Sequence, residues 1–171
     1  MKECIGFAGF SDSGKTTLVS RLIAYFQERG VRTGVIKHDA HGHYKEAEGT
    51  DSAGFIAAGA AAAAVVSPDS YIVYRREPRL LEQLVGELRS NQAEPLEIIL
   101  IEGFKRAGHD QLAIFRNEEQ SRILQLLAKP PIAVVAPAEL EKYRIEGVPF
   151  FHPDDIAMIG KFIQERVKSG S

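Results

Sequence analysis

The chain has 171 residues, a formal net charge of −2 and a single cysteine. That length suits one ordinary α/β domain, the near-balanced charge argues against a nucleic-acid partner, and a lone Cys4 excludes an internal disulfide and points to a cytoplasmic setting. No apolar run is long enough to span a bilayer, and Lys2-Glu3 lead straight into a short strand rather than a signal peptide.

The first strand is Cys4-Ile5-Gly6-Phe7-Ala8, with Cys4 as a small core residue. Behind it, Gly9-Phe10-Ser11-Asp12-Ser13-Gly14-Lys15-Thr16-Thr17 matches the phosphate-binding pattern G-x-x-x-x-G-K-[ST] at every fixed position. Leu18, Val19, Leu22, Ile23 and Phe26 then recur at helical spacing until Gly30. Strand, glycine loop and helix in that order turn backbone N–H groups and a helix N-terminus toward a polyphosphate. Gly9, Ser11, Asp12, Ser13, Gly14, Lys15, Thr16 and Thr17 are the candidate cradle. Lys15 is expected to reach the β- and γ-phosphates, Thr16 to ligate Mg²⁺, and Thr17 to support the α-phosphate. The plainer alternative is a glycine turn that merely joins a strand to a helix.

Residues 31–37 read as a second strand, followed by a histidine-rich loop from His38 to Thr50 that has no periodicity. His38, His41 and His43 have the spacing of a metal site, while Asp39 among them suits a loop that senses the γ-phosphate or its attacking water; a solvated loop is the third reading. Thr50, Asp51 and Ser52 are capping residues for a short helix, and Asp51 can alternatively face Mg²⁺ through water. Residues 60–66 suggest a small-residue strand packed under helices. It pairs with Tyr71-Ile72-Val73-Tyr74 through Ser67-Pro68-Asp69-Ser70. Glu77-Pro78 is expected to open a helix with Leu80, Leu81, Leu84, Val85 and Leu88 on one face.

Leu96-Glu97-Ile98-Ile99-Leu100-Ile101 has the continuous apolar character of a buried parallel strand, and Glu102 at its end is placed to hold or polarise a magnesium-bound water. Lys105 and Arg106 follow as possible contacts to a second anion or as a solvated pair. Gln111 to Arg116 alternates like an exposed or pairing strand, and Leu112-Ala113-Ile114-Phe115 is the candidate intersubunit strand. Residues 118–127 resemble a short helix stopped by Pro130-Pro131. Ile132 to Ala136 is another buried strand, followed by Pro137-Ala138-Glu139 rather than by a guanine-reading Asn/Thr-Lys-x-Asp motif. Residues 148–151 add a last strand, and Pro153-Asp154-Asp155 starts a closing helix with Ile156, Ile159, Ile163 and Val167 inward.

The loop GFSDSGKTT, the segment Val35-Ile36-Lys37-His38 with Gly49-Thr50-Asp51-Ser52 and Ala58-Gly59-Ala60, and the strand end Ile101-Glu102-Gly103-Phe104-Lys105 resemble the molybdopterin-guanine dinucleotide biosynthesis protein B family, MobB. The resemblance covers the first two thirds of the chain. It implies a homodimeric GTP-binding protein with Mg²⁺, a weak GTPase at most, that assists the molybdopterin guanylyltransferase and meets molybdopterin-loaded proteins in making the molybdenum cofactor. By position, Gly14, Lys15, Thr16 and Thr17 match the family's phosphate loop, Glu102 its strand-end acid, and Lys37-His38 and Asp51 its intermediate segment. The departure is Gly54-Phe55, where relatives often carry a charge. The expected fold is a single three-layer α/β P-loop domain over residues 1–171 with a mainly parallel sheet. Two other readings use the same loop: a small-molecule kinase, and a metallochaperone GTPase that passes on a metal through His38, His41 and His43.

Overall fold

The structure, a computed structural model, describes residues 3–39 and 49–169. It divides into two compact units, the first comprising residues up to His38 and from Leu84 onward, the second running from Asp39 to Gln83.

In the first unit, β1 (Cys4–Ala8) is buried at every position, as a strand covered on both faces must be. It lies between β5 (Ile98–Glu102) and β6 (Asp110–Ile114) in a six-stranded sheet that also takes in β2 (Thr33–Lys37), β7 (Ala133–Val135) and β8 (Phe150–Phe151). The order is β2-β5-β1-β6-β7-β8, and every neighbouring pair is parallel. Parallel pairing brings the carboxyl ends of the strands to one edge, where ligands of open α/β sheets bind. β1 enters α1 (Lys15–Gln27) at that edge. One face of the sheet packs Ile5, Phe7, Leu100 and Leu112 with Leu18, Leu22 and Phe26 of α1 and with Ile159 and Ile163 of α4 (Ile156–Ser169). The other face packs Ala8, Phe115, Val134 and Ala136 with Ile123 and Leu140, which lie on 3₁₀ turns at Glu119–Gln125 and Ala138–Tyr143. The helix expected at residues 118–127 is thus the shorter, tighter 3₁₀ form.

The strand read as a subunit edge is internal. Leu112, Ala113, Ile114 and Phe115 are all buried, with β6 hydrogen-bonded to β1 on one side and β7 on the other. The polar residue that gave this stretch its alternation, Gln111, is itself only 3% exposed, and its Nε2 donates to the Ala107 carbonyl at 2.8 Å. A buried amide with a partner is compatible with a core strand.

Cys4 is buried, and burial first, the Glu3 charge second, push its thiol up to about 11, which keeps it protonated and unreactive.

Asp110 ties three segments together, because its carboxylate accepts from Lys129 Nζ at 2.7 Å and from Arg166 Nε of α4 at 2.7 Å. Burial, the largest influence on this carboxyl, raises its pKa, but the two hydrogen bonds and both cationic charges together outweigh burial and bring it below 3.8. A carboxyl whose folded pKa is depressed contributes stability above its unfolded pKa and loses that contribution as pH falls through the folded value. Asp110→Asn is therefore expected to lower stability at pH 6 by about 1 kcal/mol, with the gap to the native chain closing below pH 3.8. Urea denaturation at a series of pH values checks this; a gap that stays constant down to pH 2.5 contradicts the coupling.

In the second unit, α2 (Asp51–Ala57) is capped by Thr50, whose Oγ1 accepts from the Ala53 N–H at 3.2 Å. Asp51 is not the cap; it is the first helical residue, where its charge favours the positive helix end. β3 (Ala62–Val66) and β4 (Tyr71–Arg75) form the expected antiparallel hairpin, with Val66 paired to Tyr71. The strand at residues 62–66 is not packed under helices as its small residues suggest: four of its five residues are exposed. The boundary between units falls inside α3 (Leu81–Ser90). This helix starts three residues beyond Pro78, because the Gln83 side chain accepts from the Leu80 N–H at 2.9 Å and so fixes Leu80 as the capping position.

Candidate phosphate site

Gly14 has φ 92°, a left-handed conformation that favours glycine, and α1 begins immediately after it with no side-chain cap. The first-turn N–H groups are thus left as donors, which is the electrostatic requirement for binding an anion there. Ser13 is 2% exposed with its N–H donating to the Phe10 carbonyl at 3.3 Å, which closes the loop into a tight turn. Asp12 (φ 58°) and Phe104 (φ 51°) are the non-glycine residues with positive φ among those described, one in each of the two segments that frame the site. Backbone strain of this kind gathers where a ligand must be met.

Lys15 folds back over the loop, its Nζ donating to the Phe10 carbonyl at 2.5 Å and lying 3.4 Å from Ser13 Oγ. Burial first, set against the attraction of Glu102 and joined by repulsion from Lys37 and Lys105, pulls its pKa below the ordinary lysine value. Register brings Glu102 opposite Phe7 of β1 and opposite Lys37 of β2. Backbone bonds lock it there, with the Gly103 N–H donating to the Phe7 carbonyl at 3.2 Å and the His38 N–H to the Glu102 carbonyl at 2.9 Å. Glu102 is 8% exposed; its Oε1 accepts from Thr16 Oγ1 at 2.8 Å and lies 3.7 Å from Lys37 Nζ. A hydroxyl and a carboxylate side by side are the hard oxygen donors that suit Mg²⁺.

Among the expected residues the structure therefore brings Gly9, Ser13, Gly14, Lys15, Thr16 and Glu102 together around one loop. Ser11, Asp12 and Thr17 are exposed on it. Asp39 and Asp51 fall in the second unit, the first half-buried and the second exposed at the start of α2. His38 stacks on Phe104 with ring centroids 4.5 Å apart, whereas His41 and His43 lie outside the described residues. Among the described residues no three His, Cys, Asp or Glu side chains converge as a metal site. Lys105 approaches Phe10, with Nζ 5.2 Å from the ring centroid, and Arg106 is exposed.

Two contacts at the site are not legible in the sequence. Lys37 pairs with Glu102, a contact that follows once β2 and β5 are taken as parallel neighbours ending together. Arg116 lies over Gly14, close enough that a Cβ added there would stand 2.8 Å from its Nη2. Its strand alternates like one at a sheet edge, and an edge position predicts no such proximity.

The model of the family described as "Molybdopterin guanine dinucleotide synthesis protein B" matches residues 4–137. The chain is 33% identical over 165 residues to the "Probable molybdopterin-guanine dinucleotide biosynthesis adapter protein" of Bacillus subtilis (strain 168), covering 95% of this chain and 92% of that one. It is 33% identical over 137 residues to the "Molybdopterin-guanine dinucleotide biosynthesis adapter protein" of Escherichia coli (strain K12), covering 80% and 78%. The crystal structure of Bacillus subtilis MobB superposes with a TM-score of 0.78 at 26% identity, over 96% of this chain and 97% of that one.

Proposed function

This chain belongs to the molybdopterin-guanine dinucleotide synthesis protein B family, and from that membership together with its phosphate loop we propose that it is a GTP-binding adapter in molybdenum-cofactor biosynthesis. In this reading it works as one P-loop domain in the cytoplasm, assisting a guanylyltransferase that attaches GMP to molybdopterin. The observation that carries the nucleotide part is the contact of Thr16 with Glu102 beside the uncapped N-terminus of α1.

The free N–H groups of the loop and first turn hold the phosphates, and Lys15 exchanges the Phe10 carbonyl for their oxygens. Thr16 and Glu102 would hold Mg²⁺, whose charge would offset that of the bound phosphates. Lys37, with its Nζ 3.7 Å from Glu102 Oε1, orients that carboxylate. Intrinsic hydrolysis is slow in this reading, since positioning the phosphates without a water-orienting glutamine leaves most of the barrier in place. The test is a reconstituted guanylylation with the purified transferase, molybdopterin and GTP. Adding this protein is expected to raise the output of the guanine dinucleotide cofactor; an unchanged output with no binding to the transferase refutes the adapter role.

The same proposal includes a homodimer through the β3–β4 hairpin. Val66, Tyr71 and Ile72 are 79%, 62% and 56% exposed on it, and two strands alone are marginally stable in water. A second copy laid along this apolar hairpin covers it. Sedimentation is expected to show a dimer for the native chain and a monomer for Ile72→Lys; a native monomer contradicts this part.

A further inference from the structure

We infer that Arg116 is a nucleotide-binding residue whose guanidinium holds the α- and β-phosphates from the flank of the loop opposite Glu102, an inference that rests on the nucleotide reading above. The sheet order places β5 on one side of β1 and β6 on the other. Glu102 ends β5, and Arg116 follows β6 by two residues, so the loop leaving β1 is flanked by an acid on one side and a cation on the other. The acid side is the side that would take the metal ion, where Thr16 meets Glu102. On the opposite side the guanidinium lies against Gly14, with Nη2 and Nε at 2.8 and 2.9 Å from where a Cβ would stand.

The position is braced. The Arg116 N–H donates to Gln120 Oε1 at 2.9 Å, and Gln120 Nε2 donates in turn to the Ser11 carbonyl of the loop at 3.2 Å. The Gln120 N–H is held by Asn117 Oδ1 at 2.9 Å. The turn after β6 is in this way clasped to the phosphate loop through one side chain. Arg116 is exposed, and no carboxylate among the described residues forms an ion pair with it, whereas the nearby Arg122 is paired with Glu119. A guanidinium has five donors and a permanent charge, and its planar fork suits phosphate oxygens. The bracing fixes the backbone from which the guanidinium extends.

Calorimetric titrations with GDP and with GTP, on the native chain and on Arg116→Gln, Arg116→Lys and Lys15→Ala, test the assignment. Arg116→Gln is expected to weaken both nucleotides equally, by about tenfold or more, and Arg116→Lys to recover part of the loss. The urea midpoint without nucleotide should not move, which a merely structural arginine does not predict. Unchanged affinity in Arg116→Gln, or a loss confined to GTP, overturns the inference; if Lys15→Ala has meanwhile lost binding, the nucleotide reading itself stands. A native chain that binds neither nucleotide overturns both.

Discussion

Lys15→Ala is expected to weaken GTP binding about 100-fold or more while leaving the fold intact. Each charge-assisted hydrogen bond to phosphate contributes about 1.5–3 kcal/mol, and one ammonium serves two phosphate groups, so a loss of ~3 kcal/mol or more follows. The fold should tolerate the change because the residue's own partners in the structure are two polar atoms of the loop, the Phe10 carbonyl and Ser13 Oγ. Burial already disfavours the charge, as the lowered pKa shows, so removing the ammonium relieves a cost as well as losing a contact. Circular dichroism and a urea titration check the fold, and calorimetry checks the affinity. Retained GTP affinity in a folded variant contradicts the role given to this residue.

The largest expected effect on stability is at Gly160, where α4 crosses α1. Gly160 is buried, and a Cβ built there would stand 2.3 Å from Cε1 and 2.6 Å from Cδ1 of Tyr25. The ring has little room to retreat, since it packs edge-on to Phe26 at 5.5 Å and carries the Arg29 guanidinium 3.7 Å above it. Replacing a mid-helix glycine with leucine gains up to about 1 kcal/mol of helix propensity. Forcing a branched side chain into a packed helix contact costs about 3 kcal/mol, at the upper end of the range for overpacking. Packing wins, and Gly160→Leu should lose about 2 kcal/mol, a fall of about 4–8 °C in Tm. An unchanged or higher Tm shows that the two helices separate freely at this point.

Much of the site could be read along the chain because its parts are local. The spacing from Gly9 to Thr16 encodes a turn, a cation and a hydroxyl within one strand-to-helix junction, and the apolar run before Glu102 marks a central strand. What escaped was lateral. Arg116 is far from Gly14 in sequence and becomes its neighbour only because β6 pairs with β1; Gln111, polar yet hydrogen-bonded inside, disguised that strand as half-exposed. The start of α3 was missed for a similar reason. Pro78 is a permissible first-turn residue, but the cap that Gln83 supplies to Leu80 moves the start downstream. The hairpin of the second unit was found from its turn residues, while its exposure could not be, because alanine and valine runs occur equally in covered strands.

A phosphate loop that serves guanine nucleotides, as proposed, must discriminate between bases. After β7 the chain carries Pro137-Ala138-Glu139, so base preference must come from contacts other than a local guanine motif. Calorimetric titration of the native protein with magnesium-GTP and, separately, with magnesium-ATP addresses this most directly. One site per chain is expected, with GTP preferred at least about tenfold. Equal or tighter binding of ATP contradicts that preference, and favours a phosphoryl-transferring enzyme built on the same loop.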